Sequence, residues 1–97
     1  MRLIAVSTLR GFWEKNRDAE GPLKAWFQEA KSADWMTPHQ IKAMYRSASV
    51  IGDNRIVFNI AGNKYRLVVK FNYSYRIGYV RFIGTHAQYD QIDAEKA

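Results

Sequence analysis

The residues best suited to chemistry lie near the C-terminal end of the chain, in the segment RFIGTHAQYD at positions 81–90. His86 and Tyr89 are three positions apart there, so one helical turn would place both side chains on the same side. Histidine transfers protons near neutral pH, and a tyrosine hydroxyl can orient a substrate or relay a proton. The spacing favours an acid–base site, although a histidine that caps a helix and a tyrosine that packs on a sheet would have the same spacing.

The cations that could serve such a site lie in a segment without acids. From Asn54 to Tyr89 the chain has no Asp or Glu, within a protein whose net charge is +6. A segment with one sign of charge attracts polyanions or an acidic protein surface. We therefore predict that an anionic ligand supplies the missing counter-charge; a solvated basic face without a ligand is the alternative. The cations of this segment are Arg55, Lys64, Arg66, Lys70, Arg76 and Arg81.

Periodicity predicts an α+β fold in one domain that covers residues 1–97, because a chain this short cannot fill two cores. A strand over residues 2–6 leads into a helix capped by Ser7, and a third helix begins at a cap formed by Thr37. The second helix accommodates Pro22 in its first turn. Its buried stripe is predicted to consist of Leu23, Trp26, Phe27 and Ala30.

The C-terminal half alternates with a period of two, which predicts an antiparallel meander of strands over residues 55–60, 64–71 and 76–84. A turn at Gly62 joins the first two strands. We expect the N-terminal strand and helices to pack on one face of this meander, where Val80 and Phe82 join the core. The other face is predicted to be uncovered and to gather Asn59, Lys64, Arg66, Lys70, Tyr79 and Arg81.

Composition excludes several classes of protein. Cysteine is absent, which excludes disulfides and thiolate metal sites. The only histidines, His39 and His86, are far apart and no acid cluster accompanies them, so we predict no metal and no cofactor. His39 is expected to be a surface or capping residue. The first residues, MRLIAVSTLRGFW, form neither a secretory signal nor a membrane span, so we expect a soluble cytoplasmic protein without a membrane partner.

Two blocks of sequence resemble a known family. VFNIAGNKYRLVV at 57–69 and RFIGTHAQYDQID at 81–93, at this spacing, resemble the HigB-type toxins of bacterial type II toxin–antitoxin systems, within the RelE/ParE-like superfamily. The resemblance implies a RelE-like fold with a short C-terminal helix. It also implies an mRNA interferase that typically acts on the ribosome. The implied partner is a helix-turn-helix antitoxin of the HigA type, and the toxin would contact DNA only indirectly, through this antitoxin. Many relatives have a glutamate where this chain has Gln88, so a carboxylate role there must be absent or pass to Asp90.

The resemblance and the residues together assign a candidate site. Metal-independent RNA cleavage uses the ribose 2′-hydroxyl as the nucleophile, and it needs a proton acceptor and cations where charge develops on the phosphorus. We assign proton transfer to His86 with help from Tyr89, and stabilisation of the phosphorane to Arg66 and Arg81. RNA binding is assigned to Asn59, Asn63, Lys64, Lys70, Arg76 and Tyr79.

A function of a different class uses the same charge. The chain could be a non-catalytic toxin that captures a protein target such as gyrase, or a basic nucleic-acid-binding module. A purely structural protein is a third possibility, which would leave the segment without acids unexplained. Replacing His86 separates these classes, because a nuclease needs the imidazole and a binder does not.

Overall fold

The computed structural model describes all 97 residues and confirms the α+β class. The chain forms a five-stranded sheet, four helices and a short 3-10 turn (Arg17–Ala19). Three helices and the 3-10 turn lie in sequence between the first strand and the other four, and the fourth helix follows the last strand. The strands are β1 (Arg2–Ile4), β2 (Ser49–Ile51), β3 (Arg55–Ile60), β4 (Tyr65–Asn72) and β5 (Ile77–Thr85). The helices are α1 (Ser7–Lys15), α2 (Glu20–Ser32), α3 (Pro38–Met44) and α4 (His86–Tyr89).

The sheet is mixed, with the strand order β1-β5-β4-β3-β2. The predicted meander β3-β4-β5 is antiparallel, whereas the N-terminal strand β1 joins the sheet parallel to β5. The turn between β3 and β4 places Gly62 at positive φ, as predicted, and the preceding Ala61 also has a positive φ. The edge strand β2 was not predicted, because three residues are too few to show a period.

Helices α1, α2 and α3 pack on one face of the sheet and enclose the main core. The predicted stripe on α2 is confirmed at Leu23, Trp26 and Ala30, which are buried, whereas Phe27 is only half-buried at the edge of the core. Thr37 caps α3 as predicted, because its hydroxyl accepts a hydrogen bond from the Gln40 amide. The cap predicted for Ser7 is wrong: Val6 precedes α1, and no side chain caps this helix.

A β-bulge interrupts the alternation of β5. Val68 pairs with Phe82 and Val69 pairs with Val80, which leaves Arg81 as an extra residue without a partner on β4. An inserted residue reverses the facing of every side chain that follows it. Val80 is in the core as predicted, but the core position predicted for Phe82 is wrong, because the bulge turns it to the opposite face.

The face opposite α1, α2 and α3, called the outer face below, is partly covered. Val57 and Val68 lie on it, directly opposite each other, and both are buried. Residues 90–97, the C-terminal segment, supply part of the cover: the Ala97 carbonyl accepts hydrogen bonds from Arg55 Nε and from Arg81 Nε, each at 3.1 Å. The prediction that this face is uncovered is therefore wrong over its central part.

The helices are short, since the longest, α2, has 13 residues. None combines the length and the apolar composition needed to cross a bilayer.

Candidate functional site

The junction between β5 and α4 is fixed by a capping box. The Thr85 hydroxyl accepts a hydrogen bond from the Gln88 amide at 3.1 Å, and Gln88 Oε1 accepts one from the Thr85 amide at 2.8 Å. The His86 amide in turn donates to the Lys64 carbonyl at 3.3 Å, which ties the helix start to β4. A four-residue helix is marginal by itself, so these bonds determine where His86 lies.

Gly84 allows α4 to pack closely against the sheet. A Cβ atom at this position would lie 2.6 Å from Phe82 Cζ and 2.7 Å from Gln88 Oε1, closer than non-bonded atoms approach. The same Gln88 oxygen completes the capping box. The space above Gly84 is therefore needed for the bond that starts α4.

We expect Gly84→Ala to loosen this junction without unfolding the protein. The added methyl group displaces the Gln88 side chain, and loss of a cap costs about 0.5–2 kcal/mol. Amide-exchange protection at residues 86–89 should fall. Gly11→Ala is the matched control, because an added Cβ meets no atom within 4 Å there. Unchanged protection in the Gly84 variant would contradict the assigned role of this glycine.

His86 is exposed and lies close to an acid. Its side chain has 56% relative exposure, and its Nδ1 lies 3.1 Å from Asp90 Oδ2. Its Nε2 makes no hydrogen bond with the protein and is open to a ligand. Asp90 was considered only as a substitute for a carboxylate at position 88, although its spacing of four residues from His86 places the two on one helix face.

Tyr89 ends the same helix. Its ring is half-buried beside Phe82, with centroids 6.4 Å apart, and its hydroxyl bonds no protein group. It borders a cleft that Ile51 and the C-terminal segment complete.

Arg66 is the strand cation that lies nearest to the junction in the sheet register. It lies opposite Gly84 on β5 and opposite Asn59 on β3. Its Nη1 donates to the carbonyls of Asn63, at 2.9 Å, and Tyr65, at 3.3 Å, and no carboxylate forms an ion pair with it. Nε and Nη2 make no hydrogen bond with the protein and can donate to an anion.

Three of the other predicted cations are neutralised by the chain's own acids. Lys64 pairs with Asp18, Lys70 Nζ lies 3.2 Å from Asp53, and Arg76 Nε lies 2.6 Å from Asp34. The prediction that Lys64 shares the outer face is wrong, because it lies in the turn before β4 and reaches the 3-10 turn on the helix side. These acids lie outside the segment 54–89, so the counter-charge predicted to come from a ligand comes largely from within the molecule.

The pair formed by Lys64 predicts a dependence of stability on pH. The Lys64 ammonium and the Tyr65 hydroxyl donate to the Asp18 carboxylate and hold its pKa below the ordinary value of 3.8. A carboxyl whose pKa is lowered by folding stabilises the protein above its unfolded pKa, and this contribution disappears as the pH falls below about 4. Asp18→Asn should lower the urea midpoint at pH 7 and show a smaller loss between pH 5 and pH 3. Glu14→Gln, which removes an exposed acid without an ion pair, controls for net charge.

The remaining predicted residues divide between the two ends of the sheet. Asn59 and Asn63 lie near the junction, where Asn59 Nδ2 donates to the Ser47 carbonyl at 3.1 Å. Tyr79 lies opposite Lys70, and both line a second cleft further along the outer face. Arg76 precedes β5 and His86 follows it, so they are at opposite ends of this strand. The structure thus places His86, Tyr89, Arg66 and the backbone of Lys64 at the junction with Asn63 in the adjoining turn, whereas Asn59 lies two strands from β5 and its amide turns toward Ser47.

Arg81 and Arg55 form a separate cationic pair in the middle of the outer face. Both donate to the Ala97 carbonyl, and Arg55 also binds Asp53 at 2.6 Å. Arg55, with 4% exposure, was not assigned to the site; its place in the segment without acids was the only sequence signal. No group of three or more His, Asp or Glu side chains is placed to hold a metal ion.

Comparison with protein families identifies the chain. The family model of the HigB toxins, described as the RelE-like toxic component of a toxin–antitoxin system, matches residues 19–92. A search of curated proteins gives no match. The family match includes α2, α3, strands β2 to β5 and the whole of α4. The chain therefore belongs to the HigB toxin family, the RelE-like toxic components of toxin–antitoxin systems.

Proposed function

We propose that this toxin is an endoribonuclease that cleaves mRNA on the ribosome through attack of the ribose 2′-hydroxyl on the adjacent phosphate. The observation that carries the proposal is the arrangement at the junction: an exposed imidazole whose Nδ1 lies 3.1 Å from a carboxylate oxygen, two positions after the glycine that an arginine without an acidic partner faces across the sheet. Family membership supports the same reading.

The reaction needs two proton transfers. The 2′-oxygen forms a bond to phosphorus while the bond from phosphorus to the 5′-oxygen breaks, which leaves a 2′,3′-cyclic phosphate and a 5′-hydroxyl. We assign removal of the 2′ proton to Nε2 of His86, with Asp90 stabilising the imidazolium that forms. The free hydroxyl of Tyr89, one turn further along α4, is assigned to orienting the substrate or to donating a proton to the leaving oxygen. No step requires a metal ion.

The cations divide between catalysis and binding. Nε and Nη2 of Arg66 are assigned to the phosphorane, where negative charge accumulates. Arg81 precedes His86 by five positions, so roughly 15 Å of extended strand separates their Cα atoms. We therefore shift Arg81 from the reacting phosphate to the RNA strand beyond it, together with Lys70 and Tyr79. Arg76, at the far end of β5, has no assigned contact.

The partners follow from the same proposal. An antitoxin of the HigA type would neutralise the toxin, and only this antitoxin would contact DNA. The net charge of +6 suits an approach to ribosomal RNA, since anionic backbones attract basic surfaces over a Debye length. No cofactor is proposed.

Mapping the 5′ ends of cellular RNA after brief induction tests the proposal. We expect new ends inside translated regions that ligate only after phosphorylation, because cleavage by a 2′-hydroxyl leaves a 5′-hydroxyl. Cleavage of isolated ribosome complexes should continue in EDTA once ribosome integrity is secured with polyamines. New ends that carry a 5′-phosphate, or growth arrest without any new ends, would contradict the proposal.

A further inference from the structure

The exposed apolar side chains of this protein are concentrated in one region. Four large hydrophobic residues are more than half exposed: Met36, Met44, Val50 and Tyr75, at 53%, 51%, 55% and 75%. Three of the four fall within positions 36–50, in or beside α3 and β2. Single exposed apolar residues are common on protein surfaces, whereas grouped ones mark interaction sites.

The same region is basic and has no acids. From Trp35 to Gly52 the chain contains no Asp or Glu, while it contains His39, Lys42 and Arg46. The Lys42 ammonium bonds backbone carbonyls, including that of Arg46 at 2.6 Å, and the Arg46 side chain has no partner. Here, unlike on the outer face, no internal acid neutralises the cations.

The edge of the sheet is open in this region. Strand β2 pairs with β3 on one side only, and none of its backbone groups bonds anything beyond β3. Val50 lies opposite Ile56, so its side chain points toward the helix side, yet α3 leaves it exposed. An open edge beside apolar side chains is the arrangement that binds an added strand.

We propose that the antitoxin binds the α3–β2 surface, defined by Met44, Arg46 and Val50, through an extended acidic segment. This segment pairs with the free edge of β2, covers Met44 and Val50 with apolar side chains, and places a carboxylate near Arg46. The inference rests on the antitoxin partner in the proposed function and not on the nuclease chemistry.

The outer face is a poorer target for the antitoxin. The C-terminal segment already lies on it, and Asp53 already pairs with Arg55 and Lys70. A partner there must displace these contacts before it forms its own. A partner on the α3–β2 surface meets no ion pair at Arg46, whose side chain has no partner, and it leaves His86 exposed while its bulk keeps the toxin from the ribosome.

The test measures the dissociation constant between the toxin and the protein encoded in the reading frame beside the toxin gene. Val50→Asp and Met44→Glu put negative charge where the acidic segment binds, so the dissociation constant should rise about tenfold or more. Tyr75→Asp, which charges the exposed apolar residue of the turn between β4 and β5, outside this surface, should bind as the wild type does. All three variants should keep the native thermal midpoint within a few degrees, since the replaced side chains are exposed.

A cell-based measurement separates this inference from the proposed nuclease. Val50→Asp and Met44→Glu should still arrest growth, but co-expression of the neighbouring protein should no longer relieve the arrest. Wild-type affinity in both variants, equal weakening by Tyr75→Asp, or no binding by the wild-type toxin would overturn the inference. A toxic His86→Ala variant would refute the nuclease and leave the capture result as it stands.

Discussion

Replacing His86 with alanine should slow RNA cleavage by about 10²–10⁴-fold, because a positioned acid or base contributes that much to the rate. Growth arrest should disappear at expression levels where the wild-type toxin is lethal. The side chain is 56% exposed, so the folded structure should survive the change. Quantitative mapping of RNA 5′ ends, alongside ribosome binding by sedimentation, measures the two effects separately.

The chain has its own control for this substitution. His39 is its only other histidine, and it is exposed at the start of α3. Helix α3 adjoins β2, and two strands separate β2 from β5. His39→Ala should cleave at the wild-type rate. Full toxicity of His86→Ala with intact ribosome binding would instead support the non-catalytic class, in which the toxin acts by capture of its target.

Replacing Arg66 with alanine should slow cleavage by about one to two powers of ten, because a charge-assisted hydrogen bond is worth roughly 1.5–3 kcal/mol. The substrate affinity should change less than the maximal rate if Arg66 acts mainly on the phosphorane. Arg66→Lys keeps the charge but not the planar donor pair, so it should recover only part of the rate. Single-turnover cleavage of programmed ribosomes measures these differences.

Arg66 also stabilises the turn between β3 and β4, through the Asn63 carbonyl, so stability must be followed in parallel. Urea unfolding of the variant gives that contribution independently of cleavage. Arg10→Ala removes an exposed arginine from α1, on the other side of the sheet, and controls for the change in net charge. Equal loss of activity in both variants would show that total charge matters and that the position of Arg66 does not.

Local patterns were sufficient to predict much of the fold. The stripe on α2, the Thr37 cap and the positive φ at Gly62 each follow from a few neighbouring residues whose preferences agree with the tertiary structure. The position of His86 at the end of β5 was also predictable, because Gly84 and Thr85 end the strand pattern and start a cap.

Pairings between distant segments could not be predicted in the same way. Asp18 and Asp34 neutralise Lys64 and Arg76, which follow them by 46 and 42 positions, and no periodicity reports such contacts. The cover over the outer face also depends on a contact between distant residues, since the Ala97 carbonyl accepts a hydrogen bond from Arg55, 42 positions earlier. Charge counts along a segment therefore overestimated the unneutralised charge of the folded surface.

The extra residue at position 81 decides on which side of the sheet the chain leaves β5. Without it, Gly84 would point toward the helix layer, and α4 would begin among the side chains of the main core. With it, the last third of the strand is turned over, so that Gly84 faces Arg66 on the outer face and the exposed His86 follows two positions later. A single inserted amino acid therefore decides that the strand's end and the start of α4 lie on the outer face and not in the helix layer.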